Sequence, residues 1–118
     1  MSDVVKIDIF NLVEKELKSA NANFPLFASN HEAFAVLLEE IEEAHEEMIT
    51  LELLKDNIWK MTKEGADPEA LHEQYTEAYS AAVRLAVEAV QCAAMARKGI
   101  VSNIDMRQID RMEGGPHE

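Results

Sequence analysis

The segment FAVLLEEIEEAHEEMITL, residues 34–51, repeats its apolar side chains at helical spacing. Phe34, Leu37, Ile41, Ala44, Met48 and Leu51 fall three and four residues apart, which is the period of one helix face. Ile58 extends the stripe, and Lys55 is its one interruption. The same segment carries Glu39, Glu40, Glu42, Glu43, His45, Glu46 and Glu47, so its acids are held in fixed order on a rod. Whether they form a site or a solvated face depends on what the rest of the chain brings to them.

Working outward, Ser29 and Glu32 have the spacing of a capping box, in which each side chain satisfies a backbone N–H of the first turn. The helix that starts there is predicted to run to about residue 62, with Gly65 ending it. Asp67-Pro68 then reads as an N-cap followed by proline at the first helical position. A third helix is predicted over about 68–97. Leu71, Tyr75, Ala78, Ala82, Leu85, Ala89, Cys92 and Ala96 form one stripe on it, with Val83, Val87, Val90 and Ala94 beside them. From 81 to 96 the strongly polar residues are Arg84, Glu88 and Gln91, so this helix should be covered on most sides.

Upstream, Phe10, Val13, Leu17 and Ala20 predict an amphipathic first helix over about 4–20. The connector 21–30 holds Phe24, Pro25, Leu26 and Phe27; it is too apolar for a free loop and should plug the open end of the bundle. Downstream, Gly99 is expected to stop the third helix. A short helix over 104–112 and a frayed tail from Gly114 would follow.

The fold class is therefore all-α: an antiparallel helical bundle built from a short N-terminal helix and a long helical hairpin. One domain covers 1–98, and 99–118 is an extension. Thirty helical residues span about 45 Å, whereas a compact monomer of this length should be about 35 Å across. A hairpin that long and that apolar calls for a second copy, so a homodimer or tetramer is expected.

The 118 residues suit one domain. With 11 basic against 23 acidic residues and a net charge of −12, the chain is a poor match for nucleic acid, whose binding rests on Lys and Arg against phosphate. A polybasic membrane contact is equally disfavoured, and no apolar run reaches the length of a membrane span. Divalent cations suit such acidity. Cys92 is the one cysteine, so a disulfide framework is not expected, which fits a reducing, cytoplasmic setting. The start of the chain, with Asp3 and Lys6, does not read as a signal peptide.

Glu40 and Glu43, three apart, are neighbours on one helix face, and Glu39, Glu43 and Glu47 form a row four apart. Hard oxygen ligands on a rigid face are what Mg²⁺ or Mn²⁺ takes, while a row of acids is also what any solvated helix face presents. Glu88 lies among Leu85, Val87, Ala89 and Val90, where an uncompensated carboxylate would be costly. Its partner is either Arg84, one turn earlier, or a metal shared with Glu40 and Glu43. Gln91 completes a polar notch one turn later.

These residues resemble a known family. The run from His31 to Glu43 (HEAFAVLLEEIEE), followed much later by EAVQCAAMA from Glu88, is similar to the MazG-like, all-α nucleoside triphosphate pyrophosphohydrolases. Members carry E-E-x-x-E on one helix and E-x-x-D on the next. The first motif matches at Glu39, Glu40 and Glu43. The second matches at Glu88, with Gln91 where the family has aspartate. The resemblance covers about 23–98 and implies Mg²⁺-dependent cleavage of a nucleoside triphosphate to monophosphate and pyrophosphate. Glu40, Glu43, Glu88 and Gln91 would face the metal, Glu39 would act as general base, and Arg84 or Lys55 would contact phosphate. The segment 46–87 is long compared with compact members.

Two other readings stand beside this one. A catalytically inert helical dimer could use the acidic groove to bind a nucleotide or a protein, and Gln91 is the feature that favours it. The pairs Glu42/His45 and Glu69/His72 read E-x-x-H, as in di-iron bundles. Glu69 and His72, however, fall in the first turn of a helix, where the helix dipole already accounts for an acid.

Overall fold

The computed structural model describes residues 3–23 and 26–114, with side chains described over 3–22 and 26–104. Three α-helices account for nearly all of them: α1 (Asp3–Asn23), α2 (Asn30–Lys63) and α3 (Pro68–Gly114). The all-α class holds. None of the described helices is long and apolar enough to cross a membrane.

The helix ends form where local chemistry puts them. Ser29 is the N-cap of α2: its Oγ accepts from the Glu32 N–H at 3.1 Å. Gly65 stands at φ 71°, the left-handed conformation that glycine adopts without a Cβ clash. There the Gly65 N–H donates to the Thr62 carbonyl at 3.2 Å and the Ala66 N–H to the Met61 carbonyl at 3.0 Å. Those two bonds are the Schellman closure, which satisfies carbonyls the helix end leaves free. Two residues on, the Asp67 carboxylate accepts from the Ala70 N–H at 2.9 Å and caps α3.

The chain forms two compact units. One is residues 41–89, the hairpin of α2 and α3 around Gly65. Its register can be read from paired side chains. The Asn57 amide donates to Gln74 Oε1 at 2.7 Å. Ten residues back on α2 and ten forward on α3, Arg84 Nε donates to Glu47 Oε2 at 3.0 Å. Four further steps each way bring Glu43 to Glu88, which share a side-chain hydrogen bond. The helices are therefore antiparallel and in constant register over this span. Ala81 is fully buried at its centre.

The other unit combines 1–40 with 90–118. Val13 and Leu17 of α1 pack with Ala94 of α3, and Val90 and Met95 cover them. Phe27 is 6% exposed, as expected of a plug. Its N–H donates to Ser102 Oγ at 2.9 Å, and its ring lies 4.8 Å below Lys98 Nζ. Both Ser102 and Lys98 are buried. Of the other plug residues, Leu26 is half-buried, and Phe24 and Pro25 lie outside the described positions.

This contact explains the one clear departure from the expected helix boundaries. α3 does not end at Gly99 but continues to Gly114, so 104–112 is not a separate helix and the expected boundary after 98 falls inside a continuous one. A helical glycine costs only about 1 kcal/mol relative to alanine. Docking of Phe27 onto the turns around Gly99 offsets that cost. A Cβ at Gly99 would meet nothing within 4 Å. Gly99→Ala is therefore expected to raise stability by about 0.5–1 kcal/mol, seen as a higher urea midpoint at unchanged slope. Beyond Gly114, the expected tail lies outside the described residues.

Apolar side chains remain open in both units. In the first, Ile9, Phe10, Val13, Ala93 and Ile100 line a groove of about 570 Å³, with Glu14 and Arg97 also on its wall, 3.5 Å apart. In the second, Trp59 is 60% exposed, although a large apolar ring near the end of a helix favours burial, and it carries Lys63 Nζ 5.4 Å above its ring. Its neighbours in that unit are too few to cover it.

Candidate metal centre

Three carboxylates converge. Glu40 and Glu43 stand one turn apart on α2, and the hairpin register sets Glu88 of α3 opposite Glu43. One oxygen from each of Glu40, Glu43 and Glu88 lies within 4.8 Å of the others. Ligands on opposite sides of an octahedral Mg²⁺ are about 4.2 Å apart, from Mg–O distances of about 2.1 Å. The three oxygens thus lie close enough for small side-chain movements to bring them onto one hard divalent cation. The donor set also fits, because carboxylate oxygens suit Mg²⁺ and Mn²⁺ and there is no thiolate among them. Among the described residues, this is the group of three acidic or metal-ligating side chains able to hold an ion.

The electrostatics follow from the crowding. Glu88 is half-buried rather than fully enclosed. Its carboxyl is held above its ordinary value of 4.5, first by loss of water contact, then by the hydrogen bond with Glu43 and by the negative charges of Glu43 and Glu47. The crowding favours the protonated form of Glu88 over its charged one. A divalent cation relieves the same repulsion by replacing that proton.

The other candidates are placed differently. Glu39 is exposed, on α2 beside Glu40. Gln91 is half-buried one turn past Glu88 on α3. Arg84, weighed as the ion-pair partner of Glu88, holds Glu47 instead at 3.0 Å. Lys55 lies twelve residues beyond Glu43, about 18 Å along the helix. Its ammonium is 3.3 Å from Asp56, with both side chains exposed. Glu42, His45, Glu69 and His72 are all exposed and none joins the converging group, so a di-iron arrangement finds no support among the described residues.

Glu47 was underweighted in the sequence. It is half-buried, binds Arg84, and its charge raises the Glu88 value. Its signal was available: Glu47 sits four residues after Glu43, and Arg84 four before Glu88, so a register that pairs one couple pairs the other.

No family model, curated protein or solved structure matches this chain.

Proposed function

We propose that the chain is a Mg²⁺- or Mn²⁺-dependent nucleotide pyrophosphohydrolase, converting a nucleoside triphosphate to its monophosphate and pyrophosphate. The observation that carries this reading is the convergence of Glu40, Glu43 and Glu88 from two helices. The MazG-like pattern at Glu39, Glu40, Glu43 and Glu88 adds to it, with Gln91 where that pattern has aspartate.

Glu40, Glu43 and Glu88 would hold the cation, with the Gln91 amide oxygen as a neutral donor one turn away. A bound cation supplies charge neutralisation of the triphosphate and lowers the pKa of a water molecule. Exposed Glu39, next to Glu40 and outside the converging three, is free of that duty and is the group to take the proton as water attacks phosphorus. Arg84 meanwhile fixes Glu47 beside the site. Its guanidinium has further N–H donors that a phosphate oxygen can use. Lys55 is too distant along α2 to share a phosphate with the carboxylate cluster. The working unit in this reading is a homodimer or tetramer, located with other reducing-compartment proteins in the cytoplasm.

The experiment is pyrophosphate release from each common triphosphate, with Mg²⁺ or Mn²⁺ and with chelator. Release that needs the metal supports the enzyme. No turnover with any triphosphate, together with no metal-dependent rise in melting temperature, refutes it.

Gln91 favours a second reading, an inert helical module that binds a nucleotide or a protein. It contributes no charge, which weakens the hold on a second ion. That module would show a metal- or nucleotide-dependent rise in melting temperature without any release of pyrophosphate.

A further inference from the structure

Between residues 30 and 54 of α2 and between 68 and 96 of α3, Arg84 is the single lysine or arginine. The hairpin register decides which acid it meets. Asn57–Gln74, Glu47–Arg84 and Glu43–Glu88 are rungs of one ladder. Arg84 therefore faces Glu47, and its Nε donates to Glu47 Oε2 at 3.0 Å. The Glu47 side chain is 25% exposed against 53% for Arg84, so the acid is the inner member of the pair.

Glu47 has the makings of a further ligand. It lies four residues after Glu43, about 6 Å away between Cβ atoms on the same face of α2. Its charge already acts on Glu88. Rotation about the side-chain bonds can carry its carboxylate back along the helix toward Glu43. Yet it stands outside the converging group of Glu40, Glu43 and Glu88. One more carboxylate there would be a disadvantage. Mg²⁺ in phosphate chemistry is held by few protein carboxylates and keeps its other positions for water and substrate phosphates. Another acidic ligand would tighten the ion and close a position that the reaction uses.

We infer that Arg84 is a positioning residue of the metal site: through its bond to Glu47 it withholds that carboxylate from the cation and keeps a coordination position open. The inference rests on the metal-site reading above and deepens it, because it says what the hold on Glu47 accomplishes. Without Arg84, neither stretch offers Glu47 another lysine or arginine. The bound metal is then the strongest positive charge within its reach.

The test adds Mn²⁺ alone to the full chain, with affinity measured by calorimetry and the waters on the ion counted by proton relaxation. Arg84→Met should bind Mn²⁺ about tenfold more tightly than the wild type, with about one water fewer on the ion. Arg84→Met combined with Glu47→Gln should return both values to those of the wild type. Arg84→Lys keeps a cation within reach of Glu47 and should leave both nearly unchanged. The water count separates this role from two others. Loss of a positive charge alone would tighten binding without changing hydration, and loss of a merely structural strut would loosen it. Either result overturns the inference, as does an Arg84→Met variant that binds Mn²⁺ like the wild type. Circular dichroism checks helicity; if Arg84→Met loses it, Arg84→Gln serves for the same measurement. A wild type that binds no Mn²⁺ overturns the metal-site reading itself, and this inference with it.

Discussion

Glu40→Gln is expected to lower pyrophosphate release by at least about 100-fold, a loss of roughly 2.7 kcal/mol of transition-state stabilisation. The substitution keeps the shape and one oxygen but removes a charge from a cluster whose three oxygens lie within 4.8 Å of one another. In chelator, its melting temperature should equal or exceed that of the wild type, since one of three mutually repelling acids is gone. Inactivity with an intact metal-free transition therefore separates a lost site from a lost fold. A variant that turns over normally would mean that the site has been placed on the wrong residues.

The second large effect is on stability, and its sign runs against the usual behaviour of acids. Glu88 has a folded value raised above its ordinary 4.5. Between those two values the folded state holds more protons than the unfolded one, so the stability from this group falls as pH rises through that window. It is complete below 4.5 and lost once the pH passes the folded value. At neutral pH the ionised cluster is strained, and a divalent cation should restore what the proton supplied. With the metal at 100 times its dissociation constant, the gain is about 2.7 kcal/mol, or a melting temperature higher by roughly 10 °C for a chain of this size. Calorimetry with Mg²⁺ and with chelator, at neutral and mildly acidic pH, checks this. The metal effect should shrink on acidification, because protons compete for the same oxygens. In Glu88→Gln, both the pH dependence below neutrality and the metal effect should diminish together. A metal response that survives in that variant would remove Glu88 from the site.

Much of the fold is local and could be read directly. Ser29 and Asp67 cap their helices through backbone N–H groups three residues away, and Gly65 turns the chain through its own φ. The long reach of α3 could not be read this way. Gly99 is a weak helix breaker, and the contact that outweighs it comes from Phe27, seventy-five residues from Ser102 in sequence. Trp59 shows the same limit. Its apolar ring predicted burial, but burial depends on neighbours, and one hairpin places too few beside it.

The candidate site divides in the same way. Spacing alone made Glu40 and Glu43 neighbours, because a helix turn brings residues three apart together. An apolar frame alone marked Glu88 as a carboxylate needing compensation. What compensates it was decided by the hairpin register, which sets Glu88 against Glu43 and hands Arg84 to Glu47. The sequence determined that residues 34–51 are a helix carrying an ordered row of acids. Only the tertiary structure decided which of those acids meet a carboxylate from α3, because that choice depends on how two helices slide past each other, and a slide of one turn would have paired different residues.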